Sequence, residues 1–182
     1  MLGRLIMVNA RIISASVEFH PRKLATPLTI GESRIETVVE ARARVRVVAS
    51  GLDGGGDERF ECEATGVGAV YLSHLWAWPR QRAFEDTREQ RMIDLCQRLA
   101  ADLPAIVGDD AAHPLELGAR LHARVGELNK AACVRVRGGI SDELDAELRS
   151  MPPLARLICL SPFDAALHDA AGLALGRSAF SF

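Results

Sequence analysis

The chain has 182 residues, 48% of them hydrophobic and 25% charged, with a formal net charge of -2. This is the profile of one ordinary globular domain whose core needs neither a metal nor a disulfide, and its near-neutral charge excludes a general electrostatic attraction to nucleic acid. No run approaches the roughly 18 apolar residues of a membrane span, and the N-terminal MLGRLIMVNARII lacks the long apolar core and cleavage site of a signal peptide, so neither membrane contact nor export is expected.

In chain order, Arg11 to His20 (RIISASVEFH) sets Ile13, Ala15, Val17 and Phe19 against Ser14, Ser16 and Glu18, the period of two that predicts a half-buried strand. Two prolines and a glycine follow, so Pro21 to Arg34 is expected to be a loop. Ile35 to Val48 alternates again, with Ile35, Val39, Ala41, Ala43, Val45 and Val47 on one side and Glu36, Glu40, Arg42, Arg44 and Arg46 on the other. A glycine-rich turn (SGLDGGGDE) leads to RFECEATG, which places Phe60, Cys62 and Ala64 opposite Arg59, Glu61 and Glu63. Three alternating segments joined by turns predict an antiparallel meander with one wet face, its strands spanning about residues 11–69.

Beyond Pro79 the period becomes helical. Thr87-Arg88-Glu89-Gln90 fits a capping box, and Met92, Leu95, Cys96, Leu99 and Leu103 recur at helical spacing up to Pro104. A second helix is expected to open at Pro114 and to align Leu117, Leu121 and Leu128. Between Asn129 and Met151 the signal is weaker; VRVR is compatible with a short strand, and Ser141 with the cap of a helix through Leu148. Ser161 and Pro162 predict a last helix with Asp164 near its positive end, a buried stripe of Phe163, Ala166, Leu167, Ala170 and Ala174, and a stop at Gly176. Strands followed by helices imply an α+β layer arrangement: a three-stranded antiparallel meander, then a bundle of three or four helices over about residues 86–176, in one domain.

The chemistry-bearing residues form no recognisable catalytic set. Gly54-Gly55-Gly56 lacks the lysine and following helix of a phosphate loop and reads as a hairpin turn. Arg42, Arg44 and Arg46 share their face with Glu36 and Glu40 and have no interleaved aromatics, which fits a solvated strand face better than a nucleic-acid stripe. Asp164 and His168, four apart, are expected to be an exposed helical ion pair, and the remaining histidines show no metal-ligand spacing. The four cysteines, Cys62, Cys96, Cys133 and Cys159, stand far apart without a C-x-x-C pair; buried free thiols in a reducing, cytoplasmic compartment are expected. Tyr71 to Pro79 (YLSHLWAWP) places aromatics with polar handles where a loop should emerge, which suits packing against the helices, a pocket wall or an interface.

PFDAALHDAAGLALG, Pro162 to Gly176, resembles the closing helix of the N-terminal capping domain in the mandelate racemase and muconate lactonizing enzyme group of the enolase superfamily, through Asp164, Ala166, Leu167, Asp169 and Gly172. Leu173 stands where that pattern has a basic residue, and Pro162-Phe163 where it has a small and an aliphatic one. Leu24 to Pro27, the Asp53-Gly54 turn, Gly66-Val67-Gly68 and the LPAIVGDD and HPLELGARLHARV segments follow in an order similar to that domain's. The resemblance implies a capping domain seen without its (β/α)8 barrel, with Phe180 and Phe182 leading toward the barrel. It implies that the complete enzyme is a magnesium-dependent racemase, cycloisomerase or dehydratase acting on a carboxylate, with the magnesium and every catalytic residue in the barrel and no cofactor in this chain. It further implies substrate contacts from two lid loops, Pro21 to Arg34 and Gly66 to Pro79, with Lys23, Leu24, Thr26, Leu28, His74 and Trp76 as the candidates. The partner would be a barrel domain of the same or another chain, with self-association a further possibility; the alternative is a free-standing binding or assembly module that keeps the capping fold without catalysis.

Overall fold

The computed structural model describes residues 8–31, 33–52, 59–78, 85–132 and 151–181. Three long strands, β1 (Asn9–Ile30), β2 (Ser33–Leu52) and β3 (Arg59–Leu72), form one antiparallel sheet in the order β1-β2-β3. Four helices follow among the described residues, α1 (His74–Ala77), α2 (Glu85–Val107), α3 (Pro114–Ala132) and α4 (Pro153–Leu175), with a short 3-10 turn at Ala179–Ser181. The architecture is the α+β arrangement expected, and the described residues contain no barrel.

One face of the sheet carries the core. Ala41, Ala43, Val45, Val47 and Ala49 on β2 are fully buried against Met92, Leu95, Leu99 and Leu103 of α2 and Phe163, Leu167 and Ala170 of α4. The predicted phase of β1 is correct only in part. A bulge between Ile12 and Ser14 shifts the register, so Ala10 and Ile12 point inward before it and Ala15, Val17 and Phe19 after it, while Ile13 is the extra residue.

The closest packing joins β3 to α4. A Cβ at Gly66 would fall onto the Ala166 carbonyl and the Ala170 nitrogen, and one at Gly68 onto the Pro162 carbonyl. Bare backbone on the strand and alanines on the helix therefore let the two elements touch. At the same contact the Val67 N–H, on the outer edge of β3, donates to the Asp169 carboxylate at 2.9 Å.

Prolines mislead in three places. Pro21 to Arg34 is not a loop: β1 continues to Ile30, β2 starts at Ser33, and the turn closes at Gly31 with φ +60°. Between Lys23↔Thr37 and Leu28↔Ile35 the ladder is irregular, and this irregularity, on the edge strand where a missing N–H is tolerated, takes up Pro27. Helix α2 starts at Glu85, so Thr87 lies inside it and is not its cap, and it passes through Pro104 before ending at Val107, where Gly108 turns at φ +100°. Likewise α4 begins at Pro153 rather than at Ser161 and carries Pro162 in its interior. Its end is as expected: Gly176 is left-handed, and the N–H groups of Gly176 and Arg177 return to the carbonyls of Leu173 and Gly172. Helix α3 opens at Pro114, with the His113 Nδ1 accepting from the Leu115 N–H at 3.3 Å. The Gly54-Gly56 turn, the VRVR segment, the Ser141 cap, Cys133, Phe182 and the Leu128 side chain lie outside the described residues.

Candidate functional site

Strand β3 is shorter than its neighbour, and that difference makes the site. Its register on β2 ends at Val39↔Leu72, after which Ser73 turns away, its N–H bonded to the Tyr71 carbonyl at 3.0 Å, and the single turn of α1 follows. Among the described residues, the first residues of β2 continue past this point paired only with β1, so the two strands form an arm. Between the arm and the corner at α1 lies a cleft of about 170 Å3, lined by Arg34 to Val38, by Leu72 to Leu75 and by Glu89 of α2. Ile35, Val38 and Leu72 give it a buried apolar floor.

Charges ring the cleft. The His74 Nδ1 stands 3.7 Å from Glu89 Oε2, and Arg34 Nε stands 3.0 Å from Glu36 Oε1. The Ser73 hydroxyl makes no capping bond to α1. Such a lining offers an imidazole, a guanidinium and a hydroxyl, the groups that hold a small polar or anionic head by hydrogen bonds.

All six residues expected to contact substrate lie at this end of the molecule, but only His74 lines the cleft. Lys23 is exposed and pairs with Thr37; Leu24 is half-buried and Thr26 exposed within the irregular stretch; Leu28, 54% exposed, pairs with Ile35. Trp76 projects from α1, 56% exposed. The segment Gly66 to Leu72, expected to belong to a lid loop, is strand, so only the part from Ser73 onward leaves the sheet. The aromatic run divides: Trp78 is core, and the buried Arg88 of α2 donates to its carbonyl at 3.0 Å, whereas Tyr71 and Trp76 face outward. Arg34, Glu36, Thr37, Ser73 and Glu89 were not legible as site residues, because only the point at which β3 stops places them together.

Two other clusters differ from expectation. On the far face of the sheet Glu40 is buried, not solvated, because the Arg22 Nε donates to it at 2.6 Å and the Arg42 Nη2 at 2.7 Å. Those hydrogen bonds, Arg22 first, hold its carboxyl below the ordinary glutamate value. Asp164 and His168 are not a simple exposed pair either. The Asp164 Oδ1 lies 3.8 Å from both His168 Nδ1 and His122 Nε2 of α3, and Gly118 leaves the space that the pair fills. Since the His168 Nδ1 lies 2.8 Å from the Asp164 carbonyl oxygen, which can only accept, it carries the proton, and the cluster ties α3 to α4.

Cys96 and Cys159 are buried thiols as expected, whereas Cys62, on β3, is exposed and not buried. A hydrogen bond with Cys96, and then burial, raise the Cys159 thiol well above its ordinary value and keep it protonated. Among the described residues no group of three or more His, Cys, Asp or Glu is placed to hold a metal ion. No described helix is long and apolar enough to cross a membrane.

Fold and site together define an α+β domain in which a sheet, one face covered by helices, extends a two-stranded arm beside a polar cleft. No protein-family model matches the chain, and no curated protein matches it.

Proposed function

We propose that this chain is a capping domain, a substrate-specificity lid that works against a separate catalytic scaffold: the (β/α)8 barrel of a magnesium-dependent lyase or isomerase acting on a carboxylate. The observation that carries the reading is the convergence of the arm (Lys23 to Leu28), the cleft (His74) and Trp76 at one end of the sheet, although they come from separate stretches of sequence. A lid needs exposed groups of mixed polarity on a rigid base, with the reacting groups supplied from elsewhere. Lys23, Arg34 and His74 suit the distal, anionic or polar part of such a substrate, and Leu28 and Trp76 suit its apolar part. Magnesium and the proton-transferring bases would belong to the scaffold.

Reading the coding sequence beyond the codon for Phe182, together with purifying the native protein, tests the proposal. A following segment or a co-purifying polypeptide with lysine or histidine bases and three separated carboxylates is expected, and in that assembly Lys23→Ala and Trp76→Ala should raise KM with little change in kcat. A stop codon with no such polypeptide in the purified protein contradicts it.

One feature favours the assembly-module alternative. Helix α4 is apolar nearly all round, and Leu154, Leu157 and Leu173 stay 40%, 46% and 59% exposed on it, a composition more usual for a helix covered on every side.

A further inference from the structure

Cys96 and Cys159 stand 63 residues apart in sequence, yet the fold brings them face to face where α2 packs on α4. We infer that these two thiols are a redox couple: a hydroperoxide converts them to a disulfide that fastens α2 to α4, and a thiol reductant opens it again.

Each thiol reaches the main chain of the opposite helix. The Cys96 Sγ donates to the Cys159 carbonyl at 3.6 Å, and the Cys159 Sγ donates to the carbonyl of Met92, one turn before Cys96, at 3.5 Å. The two side chains are also in hydrogen-bonding contact with each other. Reach from both sides leaves no third side chain between the sulfurs, which is the approach that a disulfide across two packed helices requires. A core cysteine packs well as a small apolar group without a second sulfur beside it, so the pairing itself calls for an account.

Burial decides which oxidant serves. Both residues have no exposed surface, so the oxidant must be small enough to enter during a local opening of the helices, as hydrogen peroxide is. One cysteine loses its proton to water and its sulfur attacks a peroxide oxygen; the O–O bond breaks, and a sulfenic acid and water result. The second sulfur then displaces the sulfenic hydroxyl, which leaves as water with the second thiol proton, and the S–S bond forms. Two thiols and one hydrogen peroxide thus give one disulfide and two waters, the sulfurs being oxidised and the peroxide reduced. Because Cys159 is held protonated, the first step is slow, and the pair stays reduced except under sustained exposure.

The bond would join two helices that cover the same face of the sheet. Cys96 lies about two turns along α2 from Glu89, a residue of the cleft wall, so oxidation would fix that wall against α4.

The test treats the full chain with hydrogen peroxide in native buffer, removes the oxidant, unfolds the chain in iodoacetamide and digests it without reduction. The expected product is a Cys96 peptide joined to a Cys159 peptide, two hydrogens lighter than their sum and separated by dithiothreitol. Closing so long a loop should raise the thermal midpoint by about 10 °C, and reduction should reverse the rise. Cys96→Ser, whose hydroxyl still donates to the Cys159 carbonyl, should show neither the joined peptide nor the rise, although its methionines meet the same peroxide. Recovery of Cys96 and Cys159 as alkylated thiols or as sulfinic acids overturns the inference, as does their joining to Cys62 or Cys133 instead of to each other. A bond that forms only in denaturant, or one that leaves the thermal midpoint unchanged or lower, overturns it as well.

Discussion

The β3–α4 contact and the arm are built from opposite materials. At the contact, Gly66 and Gly68 lie under Ala166 and Ala170 with no side chain between the two backbones, and the Val67–Asp169 hydrogen bond closes the strand edge. At the arm and the α1 corner beside it, long side chains project into water: Leu28, Ile30, Arg34 and Glu36 on the arm and Trp76 on α1 are all exposed. Close-packed backbone cannot yield to an added atom, whereas exposed side chains are replaced at little cost to folding. Stability is thus concentrated at one place, and freedom to meet a ligand or a partner at another.

Substitution at the glycines breaks this contrast most severely. Gly68→Ala, and Gly66→Ala in the same way, pushes a methyl group into helix backbone that cannot swing aside, and about 3 kcal/mol of unfolding free energy should be lost, read from urea denaturation. Asp169→Ala removes the acceptor for the Val67 N–H and should cost about 1 kcal/mol in the same assay, with Asp169→Asn, which retains an acceptor oxygen, closer to wild type.

Glu40 sharpens the comparison through pH. Its folded carboxyl titrates below its unfolded value, so the stabilisation is fully present above the unfolded value, about 4.3, and is lost as the pH falls through the folded one. The difference in stability between wild type and Glu40→Gln should therefore be constant above about pH 5 and shrink steadily in stronger acid. At α1 and the arm, Trp76→Ala and Leu28→Ala should stay within about 0.5 kcal/mol of wild type. A loss at Trp76 as large as that at Gly68 would erase the distinction between the two regions.

Alternation and helical spacing made most of the fold legible. Val45, Val47, Ala41 and Ala43 on β2, Leu95, Leu99 and Leu103 on α2, and the Phe163 to Ala174 stripe are all buried where the pattern puts them. What failed were rules for local stops. Pro104 and Pro162 normally end or begin helices, but long-range packing carries each helix through its proline; at Pro162 the same residue supplies the carbonyl that meets Gly68. Pro21 and Pro27 are tolerated because β1 is an edge strand, and the bulge at Ile13 is invisible to a count of alternating residues. The burial of Glu40 depends on Arg22, eighteen residues away on another strand. The cleft was the least legible feature, since it exists only because β3 stops at Leu72 while the hairpin of β1 and β2 continues.

The central claim is that this domain shapes and covers a reaction without supplying the groups that carry it out. Calorimetric titration of the purified chain with magnesium chloride tests that claim most directly. The account predicts no stoichiometric site; one magnesium ion bound per chain with micromolar affinity would contradict it.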